Sequence, residues 1–168
     1  RLLLEVLQAV RKVLGKEHIL GLRLCGDEYA PWGGIQPEEA KEIAAYLTSQ
    51  VELDYLAVET GSIYSVNMTM AGYQQPEDYQ LAAAKMVGQG LTLPVFAGGS
   101  LVSTAAMTEA LADFAGIDVT RALIADPALP EKWMAGKEAE IVPCILCKQG
   151  CHTHANTNPV IACSMNPQ

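Results

Sequence analysis

Cys144, Cys147, Cys151 and Cys163 follow a C-x2-C-x3-C-x11-C spacing, and they are four of the chain's five cysteines. Thiols this dense, in a chain without secretory features, argue for metal binding rather than disulfides. Thiolates at two- and three-residue gaps converge on one small object, and the fourth returns to it after a loop. That suits an iron–sulfur cubane, which takes one thiolate at each corner iron. Zinc is the alternative, since C-x2-C is also a zinc knuckle and His152 and His154 stand close by. Zinc ribbons present two short pairs, whereas here three thiols are grouped and one stands apart. Cys25, single and beside an apolar run, reads as a buried structural thiol.

A second set of residues has the chemistry to hold an anion. Arg23 ends the apolar run HILGLRL, where an unpaired guanidinium is costly. Its partner is either a bound anion or a nearby carboxylate, Asp27 or Glu28. Gly98-Gly99-Ser100 closes the run LPVFAGG, and paired glycines let a phosphate approach backbone N–H groups. A Gly-Gly pair is also an ordinary turn. Thr120-Arg121 lies toward the end of the run GIDVTRAL. Tyr64, in the segment ETGSIY, can deliver a proton or simply pack.

The elements that must position these residues alternate along the chain. Leu3, Val6, Leu7, Val10 and Leu14 share one helical face over residues 1–14. Helices follow at 37–50, 76–89, 103–114 and 128–136, the first opened by Pro37 with carboxylates in its first turn. Between them lie short apolar runs at 18–24, 53–58, 93–99 and 116–123. A long loop covers 59 to about 75. Short apolar strands alternating with helices are the pattern of parallel βα units. Four such units fit half of an eight-stranded (β/α) barrel or a small doubly wound sheet. In either, ligands gather at the C-terminal ends of the strands. Gly98, Gly99 and Arg121, after the last two strands, then stand where a barrel commonly holds a phosphate. His18 lies at the opposite end of its strand and is assigned no chemistry.

The chain is half apolar, enough for a real core, and carries a net charge of −8, which argues against nucleic acid or an anionic membrane as partner. No apolar run approaches a membrane span, and RLLLEVLQAVRKVL interleaves charge at helical spacing, unlike a signal peptide. A reducing cytoplasm is the expected compartment. The chain opens on Arg1 within a helix and stops five residues after Cys163, so it reads as a segment of something longer.

The segments GLRLCGDEYAPWGG, PVFAGGS and VTRALIADPALPEKWMAGKEAEIVPCILCKQGC resemble the flavin-dependent old yellow enzyme superfamily. More narrowly they resemble its iron–sulfur branch, with 2,4-dienoyl-CoA reductase, trimethylamine dehydrogenase and related enoate reductases. The x3 gap between Cys147 and Cys151 is closer to the dienoyl-CoA reductase pattern. The resemblance implies an α/β fold, with residues 1–140 as the C-terminal half of an FMN-binding (β/α)8 TIM barrel and 141–168 as a [4Fe-4S] cluster-binding segment. It implies that Arg23 lies against the N1/O2 edge of FMN, and that Gly98, Gly99, Ser100, Thr120 and Arg121 surround the FMN phosphate. Cys144, Cys147, Cys151 and Cys163 would ligate the cluster. Thr120 replaces the usual Gly or Ala. The Trp-His-Glu that dienoyl-CoA reductases carry after the second of these strands is absent. Tyr64 is the substitute proton donor, on position and chemistry alone.

The expected activity is reduction of an activated C=C bond in an unsaturated carbonyl or thioester. Electrons would come from NAD(P)H through FAD, held in a region outside this sequence, then through the cluster to FMN. An amine dehydrogenase on the same scaffold, a cluster-only electron-transfer module and a zinc-stapled domain are the alternatives. A homo-oligomer is compatible with all of them.

Overall fold

The structure is a computed structural model that describes residues 1–152 and 161–166. Its elements run α1 (Leu2–Leu14), β1 (Gly21–Asp27), α2 (Pro37–Gln50), β2 (Tyr55–Thr60), α3 (Val66–Thr69), α4 (Leu81–Gly88), β3 (Val95–Ala97), α5 (Thr104–Asp113), β4 (Gly116–Ile117), α6 (Arg121–Ala125) and α7 (Leu129–Met134), with a 3-10 turn at Glu138–Glu140. The four strands form one parallel sheet in the order β1-β2-β3-β4. A parallel sheet that grows by one neighbour at a time, through right-handed crossovers, keeps its connecting helices on a single face. A doubly wound sheet must reverse direction to cover both.

The packing agrees. Leu24, Leu56, Val58 and Ala97 bury against Ala40 and Ala44 of α2, Ala84 and Val87 of α4, and Met107 and Ala110 of α5. Alanines on the helices let them approach the sheet closely, and the branched side chains on the strands fill the gap. A smaller cluster of Leu7, Leu47, Val51 and Leu53 fastens α1 beside the strand starts. Arg11 reinforces it, donating to the Glu52 carbonyl at 2.8 Å and to Asp54 Oδ2 at 2.6 Å. This is an arc of a (β/α) barrel, with helices outside and the other sheet face turned to the lumen.

The lumen face fills itself by alternating large and absent side chains. Gly21 pairs with Tyr55 and Phe96 with Gly116 across the strands. The two rings meet with centroids 5.3 Å apart, and a Cβ on either glycine would overlap the ring beside it. Above this floor the lumen turns polar, with Arg23, Glu59 and Asp118.

Several boundaries differ from the sequence expectation. β1 runs to Asp27, so Arg23 is mid-strand and Cys25 is inside the strand rather than after it. β4 stops at Ile117, so Thr120 and Arg121 leave the strand: Thr120 precedes α6 and Arg121 is its first residue. The helix expected over 76–89 begins only at Leu81. Its first turn is diverted because the Glu77 carboxylate accepts from the N–H groups of Val102 and Ser103, at 3.0 and 2.8 Å, ahead of α5.

Replacing Gly116 with Ala forces the Phe96 ring to shift against its partner Tyr55. The expected cost is about 1–3 kcal/mol, or a loss in Tm of about 2–12 °C for a chain of this size. Thermal unfolding measures it, and an unchanged Tm would mean that the ring is not confined.

Candidate functional site

The polar layer of the lumen is built on Arg23. Its guanidinium pairs with Glu59 from β2 and, at 3.0 Å, with Asp118 just past β4. Partial burial works against the charge, but Glu59 and then Asp118 outweigh it and hold the guanidinium above its ordinary range. Asp27 and Glu28, the carboxylates nearest in sequence, are occupied elsewhere. Asp27 accepts the Tyr29 N–H and Glu28 accepts the Ile35 N–H, both at 2.7 Å, closing the loop after β1. Gly98 lies between the two acids, where a Cβ would come within 3.1 Å of Glu59 Oε1 and 3.3 Å of Asp118 Cβ. No side chain at Gly98 stands between them, and Arg23 is more than half exposed.

Beyond this layer, at the strand ends, Glu59, Thr69, Met70, Gln80, Gly99, Thr120 and Arg121 line a recess of about 220 Å³. Gly99 adopts φ +136°, a conformation that side chains rarely reach, so the turn after β3 needs glycine. The N–H groups of Gly99 and Ser100 have no acceptor among the described residues, although Ser100 is buried. Gln80 is buried as well, and its Oε1 has no partner among the described residues. Arg121, only 8 % exposed, donates to the Ala71 carbonyl at 2.6 Å and to Ser100 Oγ at 2.5 Å.

The cysteine segment hangs from α6 and α7. Asp126, which ends the run RALIAD, is buried and accepts from Lys132 Nζ at 2.6 Å, the Val142 N–H at 2.8 Å and the Ala128 N–H at 3.1 Å. The bonds from Lys132, Val142 and Ala128 together outweigh burial and hold this carboxyl below the usual range. Lys132 also donates to the Glu140 carbonyl at 3.0 Å. One carboxylate thus fixes the backbone two residues before Cys144. Left-handed residues Leu146 (φ 54°) and Lys148 (φ 58°) then curl the chain between the first three cysteines. The fourth is brought in by the backbone pair from the Ala162 N–H to the Gly150 carbonyl at 3.1 Å, at a contact so close that a Cβ on Gly150 would collide with the Ala162 carbonyl.

All four thiols line one recess, together with Arg121, Ile124, Leu146 and Lys148 among others. Among the described residues no three His, Cys, Asp or Glu side chains are grouped as a single metal ion requires. The Leu146 N–H points at Cys144 Sγ at 3.5 Å, and Cys147 Sγ lies 3.7 Å from Ser164 Oγ. Burial pushes the Cys144 thiol up, against the Leu146 N–H and the charge of Arg121, while the Gln149 N–H and the Ser164 hydroxyl draw Cys147 down. Cys25 is half-buried, away from this recess, with its thiol pushed up by burial. His152 is exposed and does not line the recess, and His154 lies outside the described residues. Tyr64 is exposed on the loop after β2, its ring edge-on to Trp32 with centroids 6.4 Å apart. Sequence reasoning missed Glu59, Asp118, Gln80 and Asp126. Asp126 alone carried a signal, as a carboxylate in an otherwise apolar run.

Residues 1–140 match the profile of the NADH:flavin oxidoreductase / NADH oxidase family. The chain belongs to that family. It is 27% identical to a metal reductase from Desulforamulus reducens, over 98% of this chain and 25% of that protein. It is 32% identical to an N,N-dimethylglycine/sarcosine dehydrogenase from Chromohalobacter salexigens, over 84% of this chain and 21% of that one. Among solved structures, 2-naphthoyl-CoA reductase in complex with 2-naphthoyl-CoA superposes with a TM-score of 0.85 at 28% identity, covering 98% of this chain and 25% of its own. The chain spans about a quarter of the length of the relatives it matches. No helix among the described residues is long and apolar enough to cross a membrane.

Asp126→Asn should loosen the cysteine segment. A carboxyl held low in the fold stabilises it above its unfolded value of about 3.9, and that contribution is lost as pH falls through the lower folded value. The variant should therefore lose Tm at pH 7 and much less at pH 2. Equal losses at both would show that the charge on Asp126 is not what holds Val142.

Proposed function

We infer that this chain forms one arc of an FMN-binding barrel, over residues 1–140, joined to the ligand set of a [4Fe-4S] cluster in residues 141–168. The observation that carries the reading is the convergence of Cys144, Cys147, Cys151 and Cys163 on one recess that shares Arg121 with the recess at the strand ends. Tetrahedral zinc would need its sulfurs about 3.8 Å apart, from Zn–S bonds of about 2.3 Å. A cubane takes each thiolate on a different iron and spreads them wider. Three thiols grouped within eight residues and one returning after a loop, all lining one recess, support the cubane over two short zinc pairs. The N–H and hydroxyl groups at Cys144 and Cys147 are the kind that tune such a centre.

The residues around the second recess fit FMN. The unpaired N–H groups of Gly99 and Ser100 and the buried guanidinium of Arg121 suit a phosphate, with Thr120 beside them. The orphaned Gln80 Oε1 needs a donor, which a sugar-alcohol hydroxyl supplies and a phosphate does not. Gly98 leaves space for a flat ring, and Arg23 offers the ring edge a positive charge held in place by two acids.

When bound, FMN would supply hydride to the β-carbon of an alkene conjugated to a carbonyl or thioester, with electrons drawn from NAD(P)H through FAD and the cluster. This chain's part is to hold the ring over Arg23 and to bring a proton to the α-carbon, for which Tyr64 is the candidate here. Oxidation of a small amine is the second reading, favoured by the 32% identity to a dimethylglycine/sarcosine dehydrogenase. Steady-state assays of the holoenzyme with cinnamate, crotonyl-CoA and sarcosine separate the two, and turnover of sarcosine alone would reverse their order.

Cys163→Ala should lose iron, measured against protein by colorimetric iron analysis, whereas Cys25→Ala should retain it. A full cluster in the Cys163 variant would remove that residue from the ligand set. Tyr64→Phe should leave flavin reduction by NAD(P)H intact and slow reoxidation by the alkene about 10²-fold. Parental rates in both half-reactions would reduce Tyr64 to a packing partner of Trp32.

A further inference from the structure

Arg121 is the one side chain, among the described residues, that lines both the cysteine recess and the recess at the strand ends. It is buried, and its side-chain hydrogen bonds go to neutral oxygens, the Ala71 carbonyl and the Ser100 hydroxyl. No carboxylate pairs with it among the described residues; the ion pairs near the sheet belong to Arg23, Arg11 and Lys85. A guanidinium taken out of water needs compensating negative charge. Lys148 also lines the cysteine recess but not the other one.

Resting on the flavin-and-cluster reading above, we propose that Arg121 serves two anions at once: its charge makes the cluster easier to reduce and couples that reduction to the flavin phosphate. Four thiolates give a cluster net negative charge, and reduction adds one more electron without making or breaking a bond. A fixed positive charge on the wall of the cysteine recess favours the reduced state, and burial keeps that charge from being screened by salt. A phosphate on the other side of the same guanidinium offsets part of this effect. Each anion therefore weakens the pull of Arg121 on the other, and the coupling is reciprocal.

The test is an anaerobic redox titration of the holoenzyme, with the cluster followed by electron paramagnetic resonance. Arg121→Gln, at saturating FMN, should lower the equilibrium constant for cluster reduction about tenfold, or ~59 mV for one electron. Arg121→Lys, which keeps the charge, should restore most of the difference. A Gln variant with full iron and the parental potential overturns the proposal. A second measurement needs no variant. Wild-type enzyme loaded with riboflavin, which lacks the phosphate, should have a higher cluster potential than the FMN form. Identical potentials in the two forms overturn the coupling even if Arg121→Gln fails to fold. Wild-type protein without iron or a reducible signal would overturn the cluster reading itself, and a reducible but unshifted cluster would overturn this proposal alone.

Discussion

The buried aliphatic core of the sheet lies on one face, and this one-sidedness governs what the other face must be. The strands follow one another in order, so α2, α4 and α5 gather on the same side. The lumen face has no helix to cover it. In this segment it carries its own aromatic pair and its own ion pairs. Tyr55 and Phe96 fill the floor because Gly21 and Gly116 make way for them. Arg23 is tolerated above them because Glu59 and Asp118 arrive from two other strands.

The same constraint leaves a recess at the strand ends. Above the aromatic floor Gly98 leaves the backbone bare beside Glu59 and Asp118, and Arg23 supplies charge. The turn at Gly99 and the start of α6 bring Ser100 and Arg121 to the rim. α6 is too short to be independently stable. It is held by the burial of Ala122 and Ala125 and by Asp126, which binds the chain on both sides of α7.

Through Asp126 the cysteine segment becomes part of the barrel rather than an appendage. Residues 141–152 hold no regular element longer than a turn, and their apolar burial is limited to Leu146 and to Ile141 packed against the main core. Their placement depends on polar anchors: Asp126 to Val142 at the entrance, and Gly150 to Ala162 where the chain returns. Low-content segments of this kind gain order from such anchors and from whatever their side chains ligate.

The sequence by itself determined the alternation of strands and helices, because apolar runs and helical periodicity are local properties. It also determined the grouping of Cys144, Cys147 and Cys151, because close spacing forces proximity whatever the fold, whereas Cys163 is returned by the tertiary contact of Ala162 with Gly150. It placed Gly98, Gly99 and Arg121 near one another once a barrel was assumed. Element ends were less legible: β4 ends at Ile117 because the chain turns into α6 there, and Glu77 forgoes a helix to bond across to α5. The partners of Arg23 were decided only by tertiary structure. Asp27 and Glu28 are nearest in sequence, but the loop after β1 uses them, while Glu59 and Asp118 lie 36 and 95 residues away and reach Arg23 only through strand register. The position of Arg121 between two recesses was decided in the same way. It depends on how α6 meets a segment with no periodic signal of its own, and contacts of that kind leave no trace in local composition.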